Sequence, residues 1–142
     1  MIGILLVTHN GLGDSLVDCA RHVMGKTPPN IKTLSVLASD DLQRKEAEGR
    51  VMAAQLDSGA GVLLLVDLFG ATPCNIAKRL LVPGKVEGVS GVNLPMLLRV
   101  LCYAAKPLAE VTQLALDGGR ECMVPLGSSL ESYDAAAECR DN

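Results

Sequence analysis

Two hydrophobic patterns alternate along the chain. Ile2, Ile4, Leu5, Leu6 and Val7 form an apolar run interrupted only by Gly3, and GVLLLVD over 61–67 repeats it. Runs with little polar alternation belong to strands buried on both faces, as in a parallel sheet covered by helices. Weaker strands are expected at 31–37 (IKTLSVL) and 86–92 (VEGVSGV), and a short terminal one at 122–126 (CMVPL). Between them apolar residues recur at helical spacing, first at Leu16, Cys19, Ala20 and Val23. A polar helix is expected to start at an N-cap Ser39, with Asp40 and Asp41 in its first turn, and to run towards Leu56. Thr72 as N-cap and Pro73 at the first helical position open the next. Asn93 and Pro95 open a fourth, with Leu97, Val100, Leu101 and Ala104 on one side, and a fifth runs from Pro107 to the DGG at 117–119.

This alternation predicts an α/β fold: an open, mostly parallel four-stranded sheet with helices on both faces, and a possible C-terminal antiparallel strand. Residues 1–126 are expected to form one domain. The tail from Gly127, rich in Ser, Asp, Glu and Ala, is expected to be mobile.

Composition narrows the chemistry. Aromatic residues make up 2% of the 142, so a site that stacks bases or flat rings has almost nothing to use. A net charge of −3 without a basic block argues against nucleic acid as a partner. The five cysteines include no CxxC and are odd in number, which reads as reduced thiols, most of them small core residues, in a cytosolic protein. The N-terminal apolar run is too short to cross a bilayer and follows no basic segment, so no signal peptide, membrane insertion or transmembrane helix is expected.

In open parallel sheets, ligands bind beyond the carboxyl ends of strands, where the strand order reverses. Two strongly apolar strands end here in ionisable groups, His9 and Asp67. After Asp67 come Gly70, Ala71 and Thr72 at the start of a helix, whose free N–H groups and dipole favour an anion. If the two strands are neighbours, an imidazole, a carboxylate and a phosphate cradle converge. Such a set suits phosphoryl transfer through a phosphohistidine: one ring nitrogen attacks phosphorus while the carboxylate holds the proton on the other. Thr72 reads equally as a helix cap and as a phosphate ligand.

The segments LLVTHNG, VLLLVDLFGATPCN and GVNLPML resemble, in order and spacing, the enzyme IIA of the mannose class of the bacterial sugar phosphotransferase system. The resemblance spans roughly residues 1–126. It implies a four-stranded parallel core and a homodimer with a swapped C-terminal strand. It also implies a phosphocarrier that takes its phosphoryl group from the histidine protein HPr and passes it to a IIB protein. By motif, His9 is the phosphorylated residue, Asp67 its hydrogen-bond partner and Thr72 a site hydroxyl where the family commonly has Ser. No cofactor or metal is implied. Asn10 stands where the family commonly shows Gly, and Ala71 where a second Gly is frequent. Ala at that second position costs little if its φ is negative.

Other candidates carry less. His22 lies beside an apolar helix stripe without metal-ligand spacing around it, and Cys74 in the first turn of the site helix reads as packing. A serine hydrolase needs a G-x-S-x-G elbow and a P-loop enzyme needs G-x-x-x-x-G-K-[ST]; the sequence has neither. Two alternatives stay open: a stand-alone regulatory IIA whose phosphorylation state controls protein binding, and the phosphotransfer subunit of a dihydroxyacetone kinase. The identity of a transported sugar is not encoded in such a protein.

Overall fold

In the computed structural model of the chain, residues 1–127 and Cys139 are described. The element order is β1 (Gly3–His9), α1 (Leu12–Met24), β2 (Ile31–Val36), α2 (Leu42–Leu56), β3 (Val62–Val66), α3 (Thr72–Leu80), β4 (Val86–Ser90), α4 (Leu94–Cys102) and α5 (Leu108–Glu121). The four strands are parallel, in the order β2-β1-β3-β4. The chain leaves β1 for one side of the sheet and returns from β2 to the other. The reversal point therefore lies between β1 and β3, whose last register pair is Val7 with Val66.

The unbroken apolar runs follow from this placement. Ile2 just before β1 and Ile4 and Leu6 within it, with Leu63 and Leu65 of β3, pack under α1, α4 and α5. Leu5 and Val7, with Val62, Leu64 and Val66, pack under α2 and α3. Both central strands are thus covered on two faces, and each aliphatic side chain so buried contributes about 1.5–3 kcal/mol relative to exposure.

The helices depart from expectation at their ends. α2 is capped by Asp41, whose Oδ1 accepts the N–H groups of Gln43 (2.9 Å) and Arg44 (3.3 Å); Ser39 lies two residues too early. Asn93 caps α4 as expected, accepting from Met96 N–H at 2.9 Å, and its amide also donates to the Gly119 carbonyl at 3.0 Å. α5 does not stop at the DGG. Gly118 and Gly119 lie inside it, because a Cβ there would come within 3.0 Å of Arg99 and 2.9 Å of Met96 on α4. These glycines serve close helix packing and do not end the helix.

The expected strand at 122–126 is absent: that segment leaves α5 without strand pairing, and Pro125 has no N–H to offer a ladder. β4 pairs with β3 and, at Val86, with Val82; the rest of its outer edge is open among the described residues. The tail expected to be mobile lies, apart from Gly127 and Cys139, outside the described residues.

The reduced-thiol reading is overturned for one pair. Cys102 at the end of α4 and Cys139 are joined, their Cα atoms 5.0 Å apart, within the range a disulfide requires. The two cysteines stand 37 positions apart in no recognisable motif, so the pairing arises from folding and not from local spacing. Of the remaining cysteines Cys74 is buried, Cys122 is half-buried and Cys19 is exposed, so the core role fits Cys74 alone.

Candidate functional site

His9 is the last residue of β1, and Asp67 follows the last residue of β3. Because those strands are neighbours, the two side chains meet. One oxygen of Asp67, Oδ2, accepts twice from His9: from the main-chain N–H at 3.0 Å and at the ring Nδ1 at 2.7 Å. A carboxylate only accepts, so the proton of a neutral imidazole resides on Nδ1 and the lone pair on Nε2. The His9 side chain is 44% exposed and that of Asp67 9%. The reacting candidate thus faces the surroundings while its partner is sunk in the fold. The other Asp67 oxygen, Oδ1, is buried without a hydrogen-bond partner among the described residues.

The turn after His9 explains Asn10. Its φ is +48°, the left-handed region that asparagine tolerates better than other side chains after glycine. Its N–H donates to Val36 of β2 at 3.1 Å. The departure from glycine therefore preserves the conformation. Ala71, with φ −106°, lies in ordinary extended space, so a β-carbon there is free of strain.

The anion cradle differs from expectation in one respect. Thr72 does not cap α3: Ala71 occupies the N-cap position, no side chain caps the helix, and Thr72 and Pro73 are its first two residues. The first helical bond closes from Asn75 N–H to the Ala71 carbonyl at 3.0 Å. Gly70, with φ +86°, supplies the left-handed turn that brings the chain into the helix. Gly70, Ala71 and Thr72 thus form the approach to an uncapped helix start three to five residues beyond Asp67. No hydrogen bond joins them to His9 among the described residues. Thr72 also lines a groove of about 440 Å³ between α2 and α3, with Leu42, Asn75 and Arg79.

The loops around this edge expose apolar side chains. Leu68 is 57% and Phe69 70% exposed, Leu12 and Leu42 are exposed at the starts of α1 and α2, and Leu37 is exposed just after β2. Lys78 lies 4.7 Å from the Phe69 ring centre, a cation–π contact. The sequence reading passed over this rim, although five exposed hydrophobics beside strand ends are its signal. His22 is on α1 with no group of three metal-binding side chains among the described residues. No described helix is long and apolar enough to cross a membrane.

Residues 3–113 match the family described as "PTS system fructose IIA component". The PTS system mannose-specific EIIAB component of Escherichia coli (strain K12) is 30% identical over 123 residues, covering 84% of this chain and 38% of that relative. The chain thus spans well under half the length of the curated relatives it matches. Among solved structures, the phosphotransferase system component EIIA from Streptococcus agalactiae superposes with a TM-score of 0.78 at 20% identity, covering 88% of this chain and 97% of that one. The PTS IIA protein associated with the fucose utilization operon from Streptococcus pneumoniae gives 0.70 at 27% identity, covering 81% and 88%.

Proposed function

The chain belongs to the PTS fructose IIA family of the mannose class, and from that premise we propose that it is a cytoplasmic phosphocarrier of a sugar phosphotransferase system. His9 takes a phosphoryl group from the phosphohistidine of HPr and hands it to a IIB protein. The observation that carries this reading is the pair of hydrogen bonds that one Asp67 oxygen accepts from His9, at 3.0 Å from the main-chain N–H and 2.7 Å from Nδ1.

In the transfer, the Nε2 lone pair attacks phosphorus. The N–P bond of the donor breaks, and its electron pair returns to the donor's ring nitrogen. The Nδ1 proton stays on His9, where the buried Asp67 carboxylate stabilises the positive charge that the ring acquires. Gly70, Ala71 and Thr72 lead the uncapped N–H groups of α3 towards the phosphoryl oxygens, with the Thr72 hydroxyl as a further donor. The apolar rim of Leu68, Phe69 and Leu42 supports protein partners in preference to a small substrate. The open edge of β4 and exposed Met123, Val124 and Leu126 support a homodimer in which a second copy covers them.

Incubation with phosphoenolpyruvate, enzyme I and HPr is expected to label the chain with acid-labile, base-stable phosphate, which a IIB protein then removes. Full labelling of His9→Ala overturns the assignment.

A further inference from the structure

Among the described residues Thr8 is the one polar residue in the buried set, 1% exposed at the end of an otherwise apolar strand. A valine there would match the volume and the strand preference, and a buried hydroxyl is unfavourable unless it is bonded. Its Oγ1 accepts the N–H of Gly13 at 2.9 Å. Gly13 lies in the first turn of α1, and the N-cap residue of that helix, Gly11, has no side-chain acceptor to give. Thr8 thus caps α1 from the strand that precedes it, closing a ring around His9, Asn10, Gly11 and Leu12. Gly13 permits the approach, since a Cβ there would lie 3.1 Å from the Thr8 hydroxyl and 3.4 Å from Leu6.

Within that ring, His9 N–H is tied to Asp67 beyond β3, and Asn10 N–H to Val36 of β2. The main chain of the left-handed turn is therefore held by three elements, and the Thr8 clasp supplies the hold from α1. We propose that Thr8 is a positioning residue for His9: its hydroxyl fixes the turn from which the His9 main-chain N–H and the ring Nδ1 reach the same oxygen of Asp67. The kinetic part rests on the phosphocarrier reading above; the structural part does not.

The test compares the full-length chain with Thr8→Val, which removes the hydroxyl at constant shape, and Thr8→Ser, which keeps it. Nitrogen-15 NMR of the His9 ring reports the tautomer. Transfer rates across a range of phospho-HPr concentrations separate docking from the step on the imidazole. The parent is expected to show the Nδ1–H tautomer alone. Thr8→Val is expected to mix the two tautomers and to lower the saturating transfer rate by about ten- to a hundredfold, the scale of a small misplacement of a reacting group, with the donor dependence unchanged. Thr8→Ser is expected to restore both. Gly13→Ala keeps the hydroxyl but crowds it, and is expected to mix the tautomers even if Thr8→Val does not fold. A single Nδ1–H tautomer in both Thr8→Val and Gly13→Ala overturns the proposal, as does equal impairment of Thr8→Val and Thr8→Ser. If the parent takes no phosphate, the phosphocarrier reading fails, while the tautomer comparison still decides the role of Thr8.

Discussion

Replacing Asp67 by Asn tests the carboxylate with little change of shape. Oδ2 accepts two hydrogen bonds from His9, one of them from the ring nitrogen that would carry positive charge in the proposed transfer to Nε2. A hydrogen bond to a charged group contributes about 1.5–3 kcal/mol, against about 1 for a neutral one. Loss of the charge-assisted part, about 0.5–2 kcal/mol, is therefore worth roughly two- to thirtyfold in rate, at about 1.4 kcal/mol per tenfold. Stability is expected to move little. The substitution weakens two bonds, but it also removes the negative charge from a side chain 9% exposed whose second oxygen has no hydrogen-bond partner among the described residues. The two effects are of similar size and opposite sign, about 1–3 kcal/mol each. Asp67→Asn should thus unfold within about 1 kcal/mol of the parent in urea while transferring phosphate roughly two- to thirtyfold more slowly in a rapid-quench assay. Parental transfer rates in a variant that has lost the Nδ1–H tautomer would refute the reasoning, because the proton partner would then contribute nothing to the step.

The remaining predictions concern the frame of the site. Asn10→Gly should keep activity and stability, whereas Asn10→Val should lose about 1–2 kcal/mol in urea unfolding, because a β-branched residue resists φ +48°. Asp57 accepts the N–H groups of Gly59 and Gly61, and these bonds hold its carboxyl below the usual carboxylate range. A depressed folded-state value stabilises above the unfolded one and fades as pH falls through the folded one. Asp57→Asn should therefore lower the urea midpoint at pH 7, with the gap narrowing below about pH 4. Thiol titration in denaturant should count three cysteines without reductant and five with it, since Cys19, Cys74 and Cys122 are unpaired by disulfide; five in both would show that Cys102 and Cys139 are not bonded.

Strand identity was legible because burial on two faces leaves a composition signal that survives without neighbours, as in Leu63, Leu64 and Leu65. The pairing of His9 with Asp67 was legible only conditionally. The pattern puts each at a strand end, but strand order decides whether those ends touch, and order is settled by crossovers between residues 58 apart. Helix ends were less legible, since several residues compete for each cap. Asp41 displaced Ser39 because its carboxylate reaches two N–H groups at once, and Ala71 displaced Thr72 because backbone geometry alone fixed the start. The DGG was misread for a different reason. Glycine marks helix stops and close approaches alike, and only the position of α4 against Gly118 and Gly119 tells the two apart.

Thr8 and Asp67 carry the same lesson about polar groups in an apolar setting. In a core strand the Thr8 hydroxyl, through its bond to Gly13, joins the strand to the helix that follows the site. The carboxylate after VLLLV is nine-tenths buried, with one oxygen doubly used and the other without a hydrogen-bond partner among the described residues. A fold selected for stability alone would replace both by apolar residues, since buried polar groups offset their desolvation only when fully satisfied. Their presence is therefore best explained by what they hold in place. Under the proposal above each acts on His9, one through the turn and one through the ring, so the cost to stability and the site sit on the same few residues.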